Sequence, residues 1–330
     1  MAELRAGLIG LGSMGRHHAR VLRELPGVEL VGLADAYGDP FGVSDGLPLH
    51  TSVAALVDQG IDMAVVAVPT GMHEAVGLEL AAAGVHTMVE KPIAADVPAA
   101  KRLVDAFAAA GLVGAVGHIE RFNPALQALR ARMQSGELGE IYQIVTRRQG
   151  PFPQRIADVG VVKDLATHDI DLTAWLADSH YVTIHAQVAA RSGREHEDLV
   201  AATGRLENGA VVNHLVNWLS PMKERLTIVT GERGAFVADT IGVDLTYYAN
   251  GTFATEWDSV ANFRGVTEGD VTRFALQKRE PLRLEHEAFR DAVLGLREEF
   301  VTLDEGLATL RVAESVLESS ATGLTVSLQA

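Results

Sequence analysis

The chain has no cysteine among its 330 residues. That absence excludes disulfides, a thiolate nucleophile and any Cys-ligated metal. Positive charge is scarce as well: 28 Lys and Arg stand against 43 Asp and Glu, a formal net charge of −15 at pH 7. Sequence-independent nucleic-acid binding needs clustered cations that displace counterions, so the balance argues against it, and against an anionic membrane surface. A phosphorylated small substrate stays open, because local basic residues can outweigh the global sign. No run approaches the ~20 apolar residues that a membrane helix requires. Met1-Ala-Glu-Leu-Arg-Ala-Gly7 has no signal-peptide architecture, so the expectation is a cytoplasmic protein. What remains is ordinary globular composition, and the length allows two domains with sizeable cores.

Glycine is not scarce, and one cluster of it is informative. Gly10-Leu-Gly12-Ser13-Met14-Gly15 follows the apolar Leu8-Ile9, precedes a helix-like stretch from Arg16 to Leu25, and is answered by Asp35. With 32 glycines in the chain a bare G-x-G-x-x-G decides little; the strand before it, the helix after it and the acid at the end of the next strand decide more. Gly10 allows a tight strand-to-helix turn, Gly12 lets the backbone approach a pyrophosphate, and Gly15 lets the helix pack closely on the sheet. The helix start offers free N–H groups and partial positive charge to the phosphates. Asp35 is placed to accept hydrogen bonds from both hydroxyls of the adenine ribose. It would repel the additional phosphate of NADP, and no Arg or Lys follows within Ala36-Tyr37-Gly38. The expected cofactor is therefore NAD.

The first third alternates strand and helix signals. Asp62 to Val68 is a continuous apolar run suited to a strand buried on both faces, and Val85 to Val89 is another, ending at Glu90-Lys91-Pro92. Helices are expected over 72–83 and 97–110, with Gly84 and Gly111 as their stops. Near His118 the pattern changes. Helix signals cover 122–135 and 161–176, and from Val182 to Tyr248 strand-like runs follow one another with turn signals between them. Two helices, about 284–296 and 303–319, close the chain. The expected class is α/β: an N-terminal Rossmann doubly wound parallel sheet over 1–120, then an α+β domain over 121–330 with a large open, mainly antiparallel sheet.

With the glycine motif, Glu90-Lys91-Pro92 and Asp164-Leu-Ala-Thr-His168-Asp169-Ile-Asp171 in this order, the chain resembles the Gfo/Idh/MocA oxidoreductases over essentially its whole length. The resemblance implies NAD(P)-dependent oxidation of sugar or cyclitol hydroxyls, and a homo-dimer or homo-tetramer formed through the open sheet. Gly117-His118-Ile-Glu-Arg121-Phe-Asn123-Pro124 is similar to a narrower group, the UDP-N-acetylglucosamine 3-dehydrogenases and related nucleotide-sugar enzymes. Two alternatives stand beside that reading. One is an inositol or free-sugar dehydrogenase of the same family; the other is a dinucleotide-sensing regulator without turnover.

Oxidising a secondary alcohol requires a base for the hydroxyl proton and stabilisation of developing alkoxide charge. Lys91 stands at the C-terminal end of an expected parallel strand, where open α/β sheets bind ligands, and Pro92 restricts its backbone. Asp164 and His168 lie four apart on one expected helix and share a face. His168, with an ordinary pKa of about 6.5, is a sensible base. The resemblance makes Lys91, Asp164 and His168 the catalytic group, and implies a cis Lys91–Pro92 bond. It places Pro69, Thr70, His73, Glu90 and Lys91 beside Gly10, Gly12, Ser13, Met14, Gly15 and Asp35 as cofactor residues, although His73 reads equally as a satisfied helix-start histidine. His17 and His18 read as packing or surface residues. Candidate substrate contacts are His118, Arg121, Asn123, Arg155, Lys163 and His168; Arg147 and Arg148 read as ordinary surface charges. His168-Asp-x-Asp could suggest a metal, but consecutive helical residues diverge and no second His or Cys sits at ligand spacing, so none is expected. Titration with both dinucleotides tests the Asp35 reading: NAD should bind at least tenfold more tightly, and equal or tighter NADP binding contradicts it.

Overall fold

The computed structural model describes residues 3–153, 159–251 and 267–328. Within these the chain divides into two compact units, each considered by itself. One gathers residues 3–119, Val159 and 280–314; the other gathers 120–153, 160–251, 267–279 and 315–328. No helix among the described residues is long and apolar enough to cross a membrane.

The first unit is built on β1 (Leu4–Ile9), β2 (Val28–Ala34), β3 (Leu49–His50), β4 (Met63–Val66), β5 (His86–Glu90) and β6 (Gly114–Gly117). They form one parallel sheet in the order β3-β2-β1-β4-β5-β6. The connecting helices are α1 (Gly15–Glu24), α2 (Val53–Val57), α3 (His73–Ala82) and α4 (Val97–Ala110). Successive strand residues feed opposite faces. Leu8, Met63 and Val65 enter one core with Leu22 of α1, while Ile9, Ala64 and Val66 enter another with Leu80 of α3. A strand buried on both sides therefore reads as continuous apolar sequence, as 63–66 does. The order reverses between β1 and β4, the switch point where doubly wound sheets bind ligands beyond their strand ends. Phe289 joins the first core, which explains why residues 280–314, late in sequence, belong to this unit.

The second unit begins with α5 (Pro124–Gln134), β7 (Ile141–Pro151) and α6 (Thr167–Ala177). It continues through β8 (Tyr181–Ala189), β9 (Leu199–Leu206), β10 (Val211–Asn217), β11 (Leu219–Gly231), β12 (Gly234–Asp239), β13 (Asp244–Gly251) and β14 (Thr267–Arg273). After α7 (Pro281–Val293) and α8 (Leu303–Thr322), β15 (Val326–Ser327) completes the nine-stranded sheet β14-β13-β12-β11-β7-β10-β9-β8-β15. Its neighbours pair antiparallel except β7 and β10. α5 lies against β12 and β13, and α6 against β7 and β10. Residues alternate accordingly: Ile144, Thr146 and Arg148 of β7 are buried, while Tyr142 and Leu215 are among the large side chains left exposed.

A polar chain runs through this core. Thr146 Oγ1 lies 2.7 Å from His214 Nδ1, and His214 Nε2 lies 2.8 Å from the Tyr181 hydroxyl, which reaches the Ile170 carbonyl at 3.4 Å. A neutral imidazole satisfies the chain, with Thr146 donating to Nδ1, Nε2–H donating to Tyr181, and Tyr181 donating to Ile170. Burial holds the His214 pKa down to about 4. An unfolded chain takes up this proton near 6.5 and the folded one resists until about 4, so stability falls as pH drops through that window. The contribution is about 1.4 kcal/mol per pH unit. Urea midpoints from pH 7 to 4 should decline less steeply for His214→Gln than for the parent. Identical pH dependence in both proteins contradicts this assignment.

Candidate active site

In the first unit the glycines do separate work. Gly10 follows β1 with φ of +92°, and a Cβ there would press into the Ala67 carbonyl. A Cβ on Gly15 would overlap the Gly10 carbonyl oxygen, whereas one on Gly12 would meet nothing within 4 Å. The turn is thus closed on itself at Gly10 and Gly15 and open at Gly12. Ser13 and Met14 lead into α1, which has no side-chain cap and no acid in its first turn, so no fixed negative charge there opposes an anion at the helix start. Asp35 is tied to the same loop: Leu11 N–H donates to one carboxylate oxygen at 2.7 Å and Tyr37 N–H to the other at 2.8 Å. A carboxylate has about four acceptor positions, so capacity remains for a diol. The cradle fits a dinucleotide.

Pro69 and Thr70 open a single 3₁₀ turn beyond β4 that leads directly into α3. His73, at the start of α3, is buried, with Nδ1 and Nε2 each 2.9 Å from a carbonyl, those of Pro92 and Val68. Burial lowers its pKa against the pull of both carbonyls. It braces α3 against the loop after β5. Glu90 ends β5, and Lys91 follows it with a cis bond to Pro92. His118, beyond β6, is buried.

Glu90 brings together residues that motif reading left apart. One carboxylate oxygen accepts the Lys91 N–H at 3.0 Å, and the other lies 2.9 Å from His18 Nε2. His18 is fully buried on α1, and its Nδ1 lies 2.8 Å from Nε2 of His286 on α7. Burial raises the Glu90 pKa, but His18, the Lys91 ammonium and the Lys91 N–H outweigh it and hold the carboxyl below its usual value. His18 is therefore a buried partner of the Glu90-Lys91-Pro92 motif. The signal was present in the sequence: Gly15, His18, Ala19 and Leu22 occupy the spacing of a helix's inner face. His286 stands likewise with Leu282, Glu285 and Phe289 on α7.

In the second unit, Lys163 and Asp164 lie in one wide π-helical turn, Val162–Ala166, that runs into α6. Such turns recur at functional sites. Asp164 and His168 are both buried, on either side of the join. Around them lies a set of paired charges. Arg148 donates through Nε to both oxygens of Asp169, at 3.1 and 3.0 Å, and through Nη1 to Glu120 at 2.8 Å; Arg225 reaches Glu120 at 3.2 Å. Burial disfavours the Arg148 charge, but Asp169 and Glu120 outweigh it and raise its pKa. Burial likewise pushes Glu120 up, and Arg148 with Arg225 holds it down. For Asp169 burial wins and the pKa ends above its usual value.

Arg121 is buried, with Nε and Nη2 on the two oxygens of Asp171 at 2.8 and 2.6 Å. Asn123 caps α5 by accepting the Ala125 N–H, and donates to the Thr240 carbonyl. Both residues hold the unit together. Arg147 is partly exposed and pairs with Glu224, but Arg148 is a buried anchor, which corrects the surface reading; an arginine facing two buried acids looks no different in sequence from one facing water. Arg155 lies outside the described residues. Among the described residues no group of three His, Asp or Glu is gathered to hold a metal.

Comparison with known proteins shows the family. Residues 4–118 match the family described as an oxidoreductase family with an NAD-binding Rossmann fold, and residues 126–237 match the GFO/IDH/MocA C-terminal domain. The UDP-N-acetylglucosamine 3-dehydrogenase of Acidithiobacillus ferrooxidans is 32% identical, covering 96% of each chain. Its structure superposes with a TM-score of 0.83, over 98% of this chain and 99% of that one, at 28% identity. Inositol 2-dehydrogenase 2 of Saccharopolyspora erythraea is 27% identical over 99% of this chain and 96% of its own. The WlbA dehydrogenase of Bordetella pertussis, solved with NADH and UDP-GlcNAcA, shares the fold with a TM-score of 0.80 at 24% identity, covering 99% of each chain. The chain belongs to the Gfo/Idh/MocA oxidoreductases, enzymes built on an NAD-binding Rossmann domain.

Proposed function

We propose that this enzyme oxidises carbon 3 of a UDP-linked N-acetylhexosamine, with NAD as the oxidant and with Lys91, Asp164 and His168 as its acid–base group. The observation that carries the substrate reading is the 32% identity, over 96% of both chains, to a UDP-N-acetylglucosamine 3-dehydrogenase. Bound NAD supplies the hydride acceptor. His168 takes the hydroxyl proton, and its burial keeps bulk water from competing for it. Asp164, one turn away, completes the group. The Lys91 ammonium stabilises charge developing on the substrate oxygen as the C–H bond breaks. Asp35 and the Gly10–Gly15 turn hold the dinucleotide, with Pro69, Thr70 and Glu90 on its nicotinamide side. Lys163 and Arg155 are the diphosphate contacts, and His118 borders the sugar. We place the enzyme in the cytoplasm as a homo-dimer or homo-tetramer.

A free-cyclitol substrate is the second reading, favoured by the full-length likeness to an inositol 2-dehydrogenase. NADH formation at 340 nm, with UDP-N-acetylglucosamine, UDP-N-acetylgalactosamine, myo-inositol and glucose in parallel, separates the two. Turnover confined to the UDP-sugars is expected; turnover of myo-inositol overturns the nucleotide-sugar reading. Lys91→Ala should lower kcat at least 100-fold while NAD affinity stays within about threefold, since one acid–base group contributes roughly 10²–10⁴. Unchanged kcat in that variant would remove Lys91 from the chemistry.

A further inference from the structure

The first unit contains two fully buried histidines that the proposed reaction does not use, His286 and His18, in a line that runs on through the part-buried Glu90 to Lys91. Its members come from α7, α1 and the end of β5, and His18 and His286 are each fully buried. The contacts are 2.8 Å between the imidazoles and 2.9 Å from His18 to the carboxylate. The two rings meet edge to face, centroids 5.1 Å apart.

The direction of the hydrogens follows from the carboxylate. An ionised carboxylate can only accept, so His18 Nε2 carries the hydrogen that meets Glu90. With one hydrogen on each ring, His18 Nδ1 is bare and accepts, and His286 Nε2 carries the hydrogen that meets it. His286 Nδ1 is then bare too, and it has no hydrogen-bond partner among the described residues. A buried bare nitrogen costs less than a buried N–H without an acceptor. Burial, with His18 beside it, drives the His286 pKa far below the ordinary histidine value, so this ring stays neutral at working pH. The groups facing Glu90 from the elements around it are His18 from α1, His73 from α3 and Lys91 from its own loop.

We propose that His286 and His18 form a hydrogen-bonded relay that fixes the Glu90 carboxylate beside Lys91, which makes both histidines positioning residues for the lysine. Neither histidine touches the substrate. A carboxylate held at one position keeps a fixed negative charge next to the ammonium and locks the Lys91 N–H, so the lysine side chain starts from one place. Without the donor from His18, the part-buried Glu90 loses the hydrogen bond to one of its oxygens, and it turns or takes up a proton. The relay rests on the reading that Lys91 acts in the reaction.

The test compares His18→Leu with His18→Gln and adds His286→Phe. Leu fills space without a donor, whereas Gln can offer its side-chain N–H to Glu90. Readouts are kcat and KM with the active substrate of the panel, NADH affinity by fluorescence, melting temperature, and the rate at which acetic anhydride acylates Lys91, read by peptide mass. His18→Leu should lower kcat at least tenfold with NADH affinity within threefold, and should change the Lys91 acylation rate at least threefold. His18→Gln should restore at least a third of the parental kcat and the parental acylation rate, and His286→Phe should fall between them. Equal kcat and equal acylation in His18→Leu and the parent, whatever the melting temperatures, overturn the relay. A fall in melting temperature alone, equal in Leu and Gln variants, does the same. If Lys91→Ala turns over normally, it is the catalytic reading that has failed. The acylation readout decides the relay even then, because it needs no substrate.

Discussion

A buried charge is tolerated only when it is paired, because taking an ion out of water costs several kcal/mol and a single lost partner leaves that cost uncompensated. Both units of this chain are organised by that constraint. In the first, the part-buried Glu90 ends β5 and is satisfied by His18 and by the Lys91 N–H. In the second, Glu120, Asp169 and Asp171 are matched by Arg148 and Arg121, with Arg225 at the margin. Remove one of these partners and a strand, a helix start or a loop loses the reason for its position.

The paired charges stand next in sequence to the residues proposed to do chemistry. Glu90 precedes Lys91, and Asp169 follows His168. Each motif therefore places a residue paired inside the unit directly beside one proposed to act in the reaction. On a helix, successive residues diverge by about 100°, so Asp169 can face Arg148 of β7 while His168 faces elsewhere. Asp169 and Asp171 are each held by an arginine.

Much of this was legible in the residues. The continuous apolar runs at 62–68 and 85–89 mark the parallel strands Met63–Val66 and His86–Glu90, and the turn signals from Val182 to Tyr248 mark an antiparallel sheet, because local patterning sets those elements. Gly10 and Gly15 were legible because each meets a backbone requirement that few residue types satisfy. Three features were not. Residues 280–314 join the first unit through Phe289, a long-range contact with no local signature. The wide turn at 162–166 replaces the start of an expected α-helix, and no residue in it breaks helical periodicity. His18 reads as a packing or surface histidine; its spacing from Gly15, Ala19 and Leu22 puts it on the buried face of α1, but its partner lies 268 positions away. Arg121 and Arg148 share that difficulty, since their acids are 50 and 21 residues distant.

Hydride transfer from a nucleotide sugar is the claim on which the functional reading turns. The most direct measurement is isotope transfer from UDP-N-acetylglucosamine carrying deuterium at carbon 3, with the reduced cofactor analysed by mass spectrometry. NADH heavier by one mass unit, formed together with a 3-keto sugar nucleotide, is the predicted result. Unlabelled NADH, or a label that remains entirely on the sugar, would contradict oxidation at that carbon.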